Sequence, residues 1–349
     1  MSSPAATTVD PMLSAHTTLR LGGPAARVVR AEGAAEVADA VGAADRAGEP
    51  VLLVGGGSNL VVADAGFEGT AVLLAGRGTA FARDGDRVLV TVEAGEDWDE
   101  LVAATVAEGL GGLECLSGIP GRTGATPVQN VGAYGVEVAD LLVDVDLYDR
   151  RTGSVREHVP AAELGLAYRT SVLKGTDDAV VLRVRFALRA DGRSAPIRYG
   201  ELARTLGVEP ETRTDPVAVR EAVLGLRRGK GMVLDAADHD TWSAGSFFTN
   251  PVLPTADAPQ VDGLAAWPAG EGRVKLSAAG LIQNAGFGRG HAGPGGRVSL
   301  SSRHVLALTH RGGGSTEDLL ALAREVRDGV ADRFGVTLHP EPVLVNCTL

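Results

Sequence analysis

Glycine is the residue that most constrains how this chain can fold. It supplies 47 of the 349 residues, about twice its usual share of roughly 7%, whereas aromatic residues make up 4%. Because glycine reaches backbone conformations that other residues avoid, this bias predicts many tight turns and close approaches between backbones. Two glycine-rich segments, at 55–57 and between 118 and 135, are therefore the first places to look for function.

The overall charge and the termini exclude several classes of protein. A net charge of −11 disfavours binding to nucleic-acid phosphates. No apolar run approaches the roughly 18 residues of a membrane span, and the first basic residue, Arg20, comes too late for a signal peptide. Cys115 and Cys347 form neither a disulfide framework nor a C-x-x-C pair. We therefore expect a cytoplasmic protein with reduced thiols, without a nucleic-acid partner or membrane insertion.

Periodicity and capping residues predict both helices and strands. Residues 1–15 show no period, which indicates a loose tail. Helices are expected at 34–47, from the cap Asp97 to 109, at 215–228, at 277–285, and from the capping box of Ser315 and Asp318 to Gly335. Strands are expected at 51–54, 71–74, 88–92, 141–148, 180–188 and 342–345, the pair 141–148 and 180–188 in a mixed sheet and the last strand returning to an earlier sheet.

The first glycine run, Gly55-Gly56-Gly57-Ser58-Asn59, directly follows a predicted strand. Its backbone N–H groups could converge on a phosphate, or the run could be a plain turn. No Gly-Lys-Ser/Thr follows, which excludes a P-loop. A literal G-x-G-x-x-G at 288–293 is interpreted as a chance match, because Pro294 stands where a dinucleotide fold needs a helix.

The second glycine system combines prolines with amide side chains over 118–135. Amides can donate to and accept from the edge of a heteroaromatic ring, which favours a binding loop over an Ω-loop packed on itself. Elsewhere, Ser246 lacks the surroundings of a hydrolase serine. The acidic cluster at 235–240 matches no metal template and is expected to be a solvated loop, so no metal site is predicted.

These segments, taken in order from Thr17-Thr18-Leu19-Arg20-Leu21-Gly22-Gly23 to Pro340-Glu341-Pro342-Val343, resemble the UDP-N-acetylenolpyruvoylglucosamine reductases, flavoproteins of peptidoglycan precursor synthesis. The resemblance implies an α+β fold: a two-lobed FAD-binding module of the vanillyl-alcohol-oxidase type and a smaller α+β substrate-binding domain. It places the first lobe at 16–75 with 335–349, the second at 76–228 and the substrate domain at 229–334.

The same resemblance implies an enzyme in which NADPH reduces a non-covalent FAD, which then reduces UDP-N-acetylglucosamine enolpyruvate to UDP-N-acetylmuramate. It makes Arg169 and Glu341 the groups that support the substrate carboxylate and Ser246 the proton donor. The implied cofactor residues are Gly55, Gly56, Gly57, Ser58, Asn59, Leu60, Gly118, Ile119, Pro120, Gly121, Gly124, Ala125, Thr126, Gln129, Asn130, Gly132, Ala133, Tyr134, Gly135 and Arg227.

The implied substrate residues are Tyr199, from the tyrosine loop of one subgroup, with Lys230, Asn250, Lys275 and Gln283. This chain departs from the family at Gly280, where an aromatic residue is usual. A monomer is expected. Two alternatives stay open: an FAD oxidoreductase of the same superfamily with another substrate, and a catalytically silent flavin- or nucleotide-sugar-binding protein. The presence of Arg169, Ser246 and Glu341 together argues against both.

Overall fold

The computed structural model describes residues 9–349. Within that range the helices are α1 (Ala34–Ala47), α2 (Trp98–Ala107), α3 (Gly200–Leu206), α4 (Pro216–Gly229), α5 (Ala278–Asn284) and α6 (Thr316–Phe334). The strands of the same range are β1 (Ala25–Ala31), β2 (Val51–Val54), β3 (Leu60–Val62), β4 (Phe67–Leu74), β5 (Thr79–Asp84), β6 (Arg87–Glu93), β7 (Gly132–Ala133), β8 (Val136–Glu137), β9 (Leu142–Asp149), β10 (Ser154–Pro160), β11 (Ala179–Arg189), β12 (Val252–Pro254), β13 (Ala266–Pro268), β14 (Arg273–Leu276), β15 (Val298–Leu300), β16 (Leu308–His310) and β17 (Val343–Val345).

The chain separates into two compact units, each discontinuous in sequence. Unit 1 contains residues 9–11, 25–56 and 68–228 of the described chain. Unit 2 contains residues 12–24, 57–67 and 229–349. The change from one unit to the other after Arg228 lies at the end of α4.

A five-stranded sheet in the order β10-β9-β11-β6-β5 forms the framework of unit 1. All of its neighbouring strands run antiparallel, so the prediction of a mixed sheet for 141–148 and 180–188 is wrong. Helix α2 covers this sheet through Trp98, whose ring meets Phe186 edge-on at 5.9 Å between centroids. The Trp98 indole also donates to Leu116 O at 3.0 Å, which satisfies its buried N–H.

A second sheet of unit 1, in the order β1-β4-β2, packs against α1. Helix α1 spans the predicted residues 34–47 and buries Val37 and Val41 on one face. It ends at Gly48, whose φ of +67° suits glycine. Strand β2 runs parallel to β4, and the connection between them contains β3.

Helix caps read from the sequence are confirmed in both units. The Asp97 side chain accepts hydrogen bonds from Asp99 N and Glu100 N at the start of α2. Ser315 and Asp318 form the predicted capping box at the start of α6, which ends at Gly335 as expected. These local bonds satisfy N–H groups that a helix cannot satisfy itself.

Unit 2 is built around α6, which buries Leu319, Leu322, Val326 and Val330 along one face. Its sheets are β12-β14-β13, β15-β16 and the parallel pair of β17 with β3. The predicted return of the last strand to an earlier one is therefore confirmed. Among residues 9–349, none of the helices combines the length and apolar character needed to cross a bilayer.

Two expectations about exposed segments are wrong at one residue each, Leu13 and Asp240. Residues 1–8 of the predicted tail lie outside the described residues, but Leu13 is 1% exposed and its N–H donates to Gly23 O at 3.0 Å. Within the acidic cluster, Asp240 is buried and accepts from Arg311 Nη1 and Ser301 Oγ at 2.8 and 2.9 Å. It is a paired structural charge, because an unpaired buried carboxylate would be costly.

Candidate active site

The two glycine systems meet inside unit 1. A Cβ atom placed on Gly56 would lie 2.7 Å from Gly121 Cα, and one on Gly55 would lie 3.4 Å from Arg122 Cβ. Backbones approach this closely only where side chains are absent. The fold therefore joins two segments, each predicted to hold the cofactor, that are about 65 positions apart in the chain.

The remainder of the first run, from Gly57 to Leu60, belongs to unit 2 and leads into β3. Gly57 has a φ of +60°, and a Cβ atom there would lie 1.9 Å from His16 O. Its carbonyl accepts from Thr18 N at 3.2 Å, and that of Asn59 accepts from Val343 N at 2.9 Å. Thus the segments at the two ends of the family resemblance both bond to this loop.

The second glycine loop, residues 118–135, is fixed by its own backbone bonds. Gly118 N donates to Asp99 Oδ1 at 2.6 Å, and Gly124 N to Ala94 O at 2.8 Å. Its end is a hairpin of β7 and β8 whose tip residues, Tyr134 and Gly135, have φ of 50° and 83°. All the predicted cofactor residues of this loop lie in unit 1: Gly118, Ile119, Pro120, Gly121, Gly124, Ala125, Thr126, Gln129, Asn130, Gly132, Ala133, Tyr134 and Gly135.

The Asn130 side chain bonds to protein groups on both of its ends. Its Nδ2 donates to Glu137 Oε2 at 2.7 Å and to Ala167 O at 3.2 Å, and its Oδ1 accepts from Ala139 N at 3.0 Å. The side chain is buried, and its φ is +45°. The amide thus organises the loop, in contrast to the ring-edge contact expected from its chemistry.

Arg122 shows that the loop suits an anionic cofactor. Its Nε is buried without a hydrogen-bond partner among the described residues, while its Nη1 lies 3.3 Å from Asp97 Oδ2. Burial, together with the charge of Arg77, lowers the pKa of the Arg122 guanidinium. A cation with an unused N–H beside Gly55 fits the pyrophosphate of FAD. The sequence offered one signal for it, an arginine within a glycine-rich loop.

Arg227 lies on α4 and is 7% exposed. Burial lowers the pKa of its guanidinium, and the Tyr134 and Asp99 groups act against this shift. Tyr134 belongs to the second glycine loop, and Asp99 accepts a hydrogen bond from Gly118 N of that loop. The predicted cofactor residue Arg227 is therefore a buried cation of unit 1 under the electrostatic influence of that loop.

Arg169 stands on a tight turn beside the hairpin of the loop. Ala167 and Thr170 exchange both backbone hydrogen bonds at 3.1 Å, and Arg169 has a φ of +54°. Its Nη2 donates to Gly132 O at 2.7 Å. A guanidinium carries five N–H groups in a planar fork, a geometry that matches a carboxylate.

Tyr199 is the N-cap residue of α3, a helix that the sequence did not predict. Its ring meets Tyr134 edge-on at 5.4 Å, and Tyr199 is 44% exposed. Unit 1 thus places Tyr199, Tyr134 and, through Gly132, Arg169 in one neighbourhood.

Ser246 and Glu341 lie on adjacent segments of unit 2. Glu341 N donates to Phe247 O at 2.9 Å, and Thr249 N donates to His339 O at 3.1 Å. Phe247, which follows Ser246, is 1% exposed and anchors the serine loop in the core. Both predicted catalytic residues are half-buried, so each can meet a ligand while its backbone is held.

The predicted substrate residues of unit 2 are spread over two regions. Asn250 Oδ1 accepts from Ala278 N at the start of α5, and Lys275 lies on β14 with its Nζ 5.9 Å from the Trp267 ring centroid. Gln283 is exposed on α5. Lys230 lies near His304. Burial and the positive charge of Lys230 lower the pKa of His304 to about 4.

Gly280 lies on the first turn of α5, and its missing side chain is compensated locally. A Cβ atom there would lie 2.6 Å from Leu264 Cδ1. The leucine side chain therefore fills the space into which an aromatic residue would extend.

Two protein-family models match this chain. Residues 25–158 match the model of an FAD binding domain, and residues 237–345 match that of the UDP-N-acetylenolpyruvoylglucosamine reductase C-terminal domain. The UDP-N-acetylenolpyruvoylglucosamine reductase of Saccharopolyspora erythraea is 65% identical, over 97% of this chain and 95% of that protein. The chain belongs to the UDP-N-acetylenolpyruvoylglucosamine reductase family. The reductase of Salinispora arenicola is 56% identical over 97% and 95% of the two chains.

The fold of the family is also shown by a solved structure. The crystal structure of UDP-N-acetylenolpyruvylglucosamine reductase from Thermus caldophilus aligns with a TM-score of 0.66 at 25% identity, over 96% of this chain and 97% of that one. The predictions of the family, of an α+β FAD-binding fold with a second domain, and of FAD as cofactor are confirmed. Like its family, the chain is an FAD-dependent oxidoreductase.

Proposed function

We propose that the chain reduces UDP-N-acetylglucosamine enolpyruvate to UDP-N-acetylmuramate, with NADPH as the reductant, in peptidoglycan precursor synthesis. The observation that carries this proposal is the likeness to named reductases over 97% of the chain, which spans both the FAD-binding and the C-terminal domain models. When bound, FAD would supply the hydride-transfer chemistry that links NADPH to the terminal carbon of the enolpyruvyl group. The remaining chemistry falls to side chains of this protein.

The cofactor is held by the two glycine systems, 55–60 and 118–135, together with Arg227. The close approach of Gly56 to Gly121 supports this assignment, because it leaves backbone and no side chains where the two loops meet. Arg122 adds a half-buried cation, with a buried Nε, for the pyrophosphate. The FAD-binding part comprises two lobes, 16–75 with 335–349 and 76–228, and residues 229–334 form the substrate domain.

Arg169 and Glu341 support the substrate carboxylate. Hydride addition at one carbon leaves negative charge on its neighbour, from which it spreads into the carboxylate. A guanidinium placed before reaction stabilises that charge without reorganising. The hydrogen bond from Arg169 Nη2 to Gly132 O supports this role, since it fixes one edge of the planar guanidinium group. Glu341 completes the polarising network.

Ser246 donates the proton that ends the reaction at the carbon next to the carboxylate. A neutral serine is a weak acid, so it can serve only when its strongly basic target lies within hydrogen-bond reach. The buried Phe247 and the bond from Glu341 N to Phe247 O support this role, because they hold the backbone beside Ser246.

Tyr199, of the tyrosine-loop subgroup, closes over the substrate. Lys230, Asn250, Lys275 and Gln283 bind its nucleotide part. The exposed ring of Tyr199 and the cationic side chain on β14 support these assignments. We further propose that the enzyme is monomeric and acts in the cytoplasm.

The test is Ser246→Ala, followed through each half of the reaction separately. We expect FAD reduction by NADPH to stay within about threefold of the unsubstituted rate, and reoxidation by the enolpyruvyl substrate to slow by about 10²- to 10⁴-fold, the usual contribution of a positioned acid. Ser243→Ala removes a buried hydroxyl of the same loop, which accepts from Gly245 N at 3.2 Å; it is the control for disturbance of the loop backbone and should not reproduce the selective slowing of reoxidation. Equal slowing of both halves would remove Ser246 from the donor role.

A further inference from the structure

The backbone of Arg169 is held in an uncommon conformation. Its φ of +54° lies in the left-handed region, which residues with a Cβ atom rarely occupy. Such a conformation persists only where neighbouring contacts hold it, and it is concentrated at sites that bind ligands. The contacts that hold this turn therefore bear on the function of its side chain.

Hydrogen bonds from three successive parts of the turn reach the second glycine loop. They join Asn130 Nδ2 to Ala167 O at 3.2 Å, Arg169 Nη2 to Gly132 O at 2.7 Å, and Ser171 Oγ to Val128 O at 2.6 Å. The Ser171 hydroxyl also accepts from Leu173 N at 3.0 Å, which orients it. The turn and the second glycine loop are thus joined by hydrogen bonds within unit 1.

Lys174 acts on the turn from its C-terminal side. Its Nζ lies 2.9 Å from Arg169 O, and the side chain is half-buried. A bond from an ammonium group is about twice as strong as one between neutral groups. Because the acceptor is the carbonyl of Arg169 itself, the bond resists rotation of the Arg169 backbone out of its left-handed conformation.

We propose that Asn130, Ser171 and Lys174 are positioning residues, which hold the Arg169 guanidinium in place for the substrate carboxylate before the substrate binds. This inference rests on the proposed role of Arg169. It follows from preorganisation: a cation whose position is already set loses less freedom on binding than one on a mobile turn. Lys174 is the most informative of the three to test, since its hydrogen bond is to the carbonyl of Arg169 itself.

The experiment compares Lys174→Met with Lys174→Arg and with Thr176→Val, an exposed neighbour on the same segment. The dissociation constant of the enolpyruvyl sugar nucleotide is measured on the oxidised, FAD-loaded enzyme, alongside KM, kcat, FAD content and melting temperature. For Lys174→Met we expect the dissociation constant and KM to rise about 10- to 100-fold, as for loss of a charged hydrogen bond. FAD reduction by NADPH should change less than about threefold, Lys174→Arg should recover most of the loss, and Thr176→Val should match the unsubstituted enzyme.

A double substitution separates positioning from general stabilisation. If Lys174 acts through Arg169, then Lys174→Met should weaken binding no further in an Arg169→Met background. Additive losses would overturn the inference. Unchanged binding in Lys174→Met, with weakened binding in Arg169→Met, would also overturn it while leaving the proposed function intact. Unchanged binding in Arg169→Met would instead refute the role of Arg169 and this inference with it. Should Lys174→Met not fold, Ser171→Ala is expected to give the same pattern.

Discussion

Substituting alanine for Gly56 should force apart the two loops assigned to FAD. The added Cβ atom would lie 2.7 Å from Gly121 Cα, 3.2 Å from its carbonyl carbon and 3.4 Å from its nitrogen. Carbon atoms in contact prefer about 3.5 to 4.0 Å, so the loops must separate by about 1 Å. Since the obstacle is backbone, no side chain can rotate away to relieve it.

Gly55→Ala is the matched control, because its Cβ atom would lie 3.4 Å from Arg122 Cβ, within ordinary contact distance. Neither glycine has a positive φ, so both substitutions test space and not backbone conformation. Overpacking of a tight contact costs about 1 to 3 kcal/mol, which corresponds to about 5- to 150-fold in an equilibrium constant. If the loops must close on FAD, this cost appears in its affinity.

The assay is titration of the apoprotein with FAD, followed by quenching of flavin fluorescence, with the melting temperature of the apoprotein measured in parallel. We expect the FAD dissociation constant of Gly56→Ala to rise about 5- to 150-fold, and that of Gly55→Ala to change less than about threefold. The reasoning is refuted if Gly56→Ala binds FAD as tightly as the unsubstituted protein, or if both substitutions weaken binding equally.

Three further predictions concern single side chains. Arg122→Met should raise the FAD dissociation constant by about 10-fold or more, because a charged donor to the pyrophosphate is lost; an unchanged constant in the same titration would exclude that contact. Trp98→Ala should lower the free energy of unfolding by about 3 to 5 kcal/mol in urea denaturation, and a loss below about 1 kcal/mol would contradict its place in the core. His304 has a pKa of about 4, lowered by burial and by Lys230 from its ordinary value of 6.5. Unfolding therefore takes up a proton as the pH falls below 6.5, so stability should decrease down to about pH 4, and His304→Gln should flatten this decrease in denaturation curves recorded across that range.

Local signals in the sequence predicted five of the six helices, but six of the seventeen strands, that residues 9–349 form. Helix α1 has the predicted limits, and the caps at Asp97 and Ser315 are where the sequence placed them, because a cap depends on residues only a few positions away. The mixed sheet was wrong because strand direction depends on connections that periodicity does not reveal. Leu13 was assigned to a tail because a single apolar residue has no period, although it is buried in unit 2.

The residues of the candidate site also fall into two groups, those that the sequence identified and those that only the structure revealed. Motifs in the sequence named Arg169, Ser246 and Glu341, since the family resemblance depends on residue identity alone. The roles of Arg122 and Lys174 were missed, because each follows from a single contact: an unpartnered buried Nε in one case and a bond to a particular carbonyl in the other. The amide chemistry of Asn130 predicted a contact with the cofactor ring. The structure shows instead that the amide is buried and donates to Ala167 O.

The sequence by itself determined where the glycines stand, where helices begin and end, and which family's residues the chain carries. The tertiary structure alone decided that Gly56 meets Gly121, that the Arg169 turn is bonded to the cofactor loop, and that the Glu341 segment runs beside Ser246. The physical reason is the separation along the chain over which each kind of interaction acts. Helix caps and periodicity act between residues a few positions apart, whereas these contacts join segments separated by about 35 to 95 positions, and only packing of the whole unit can select such partners.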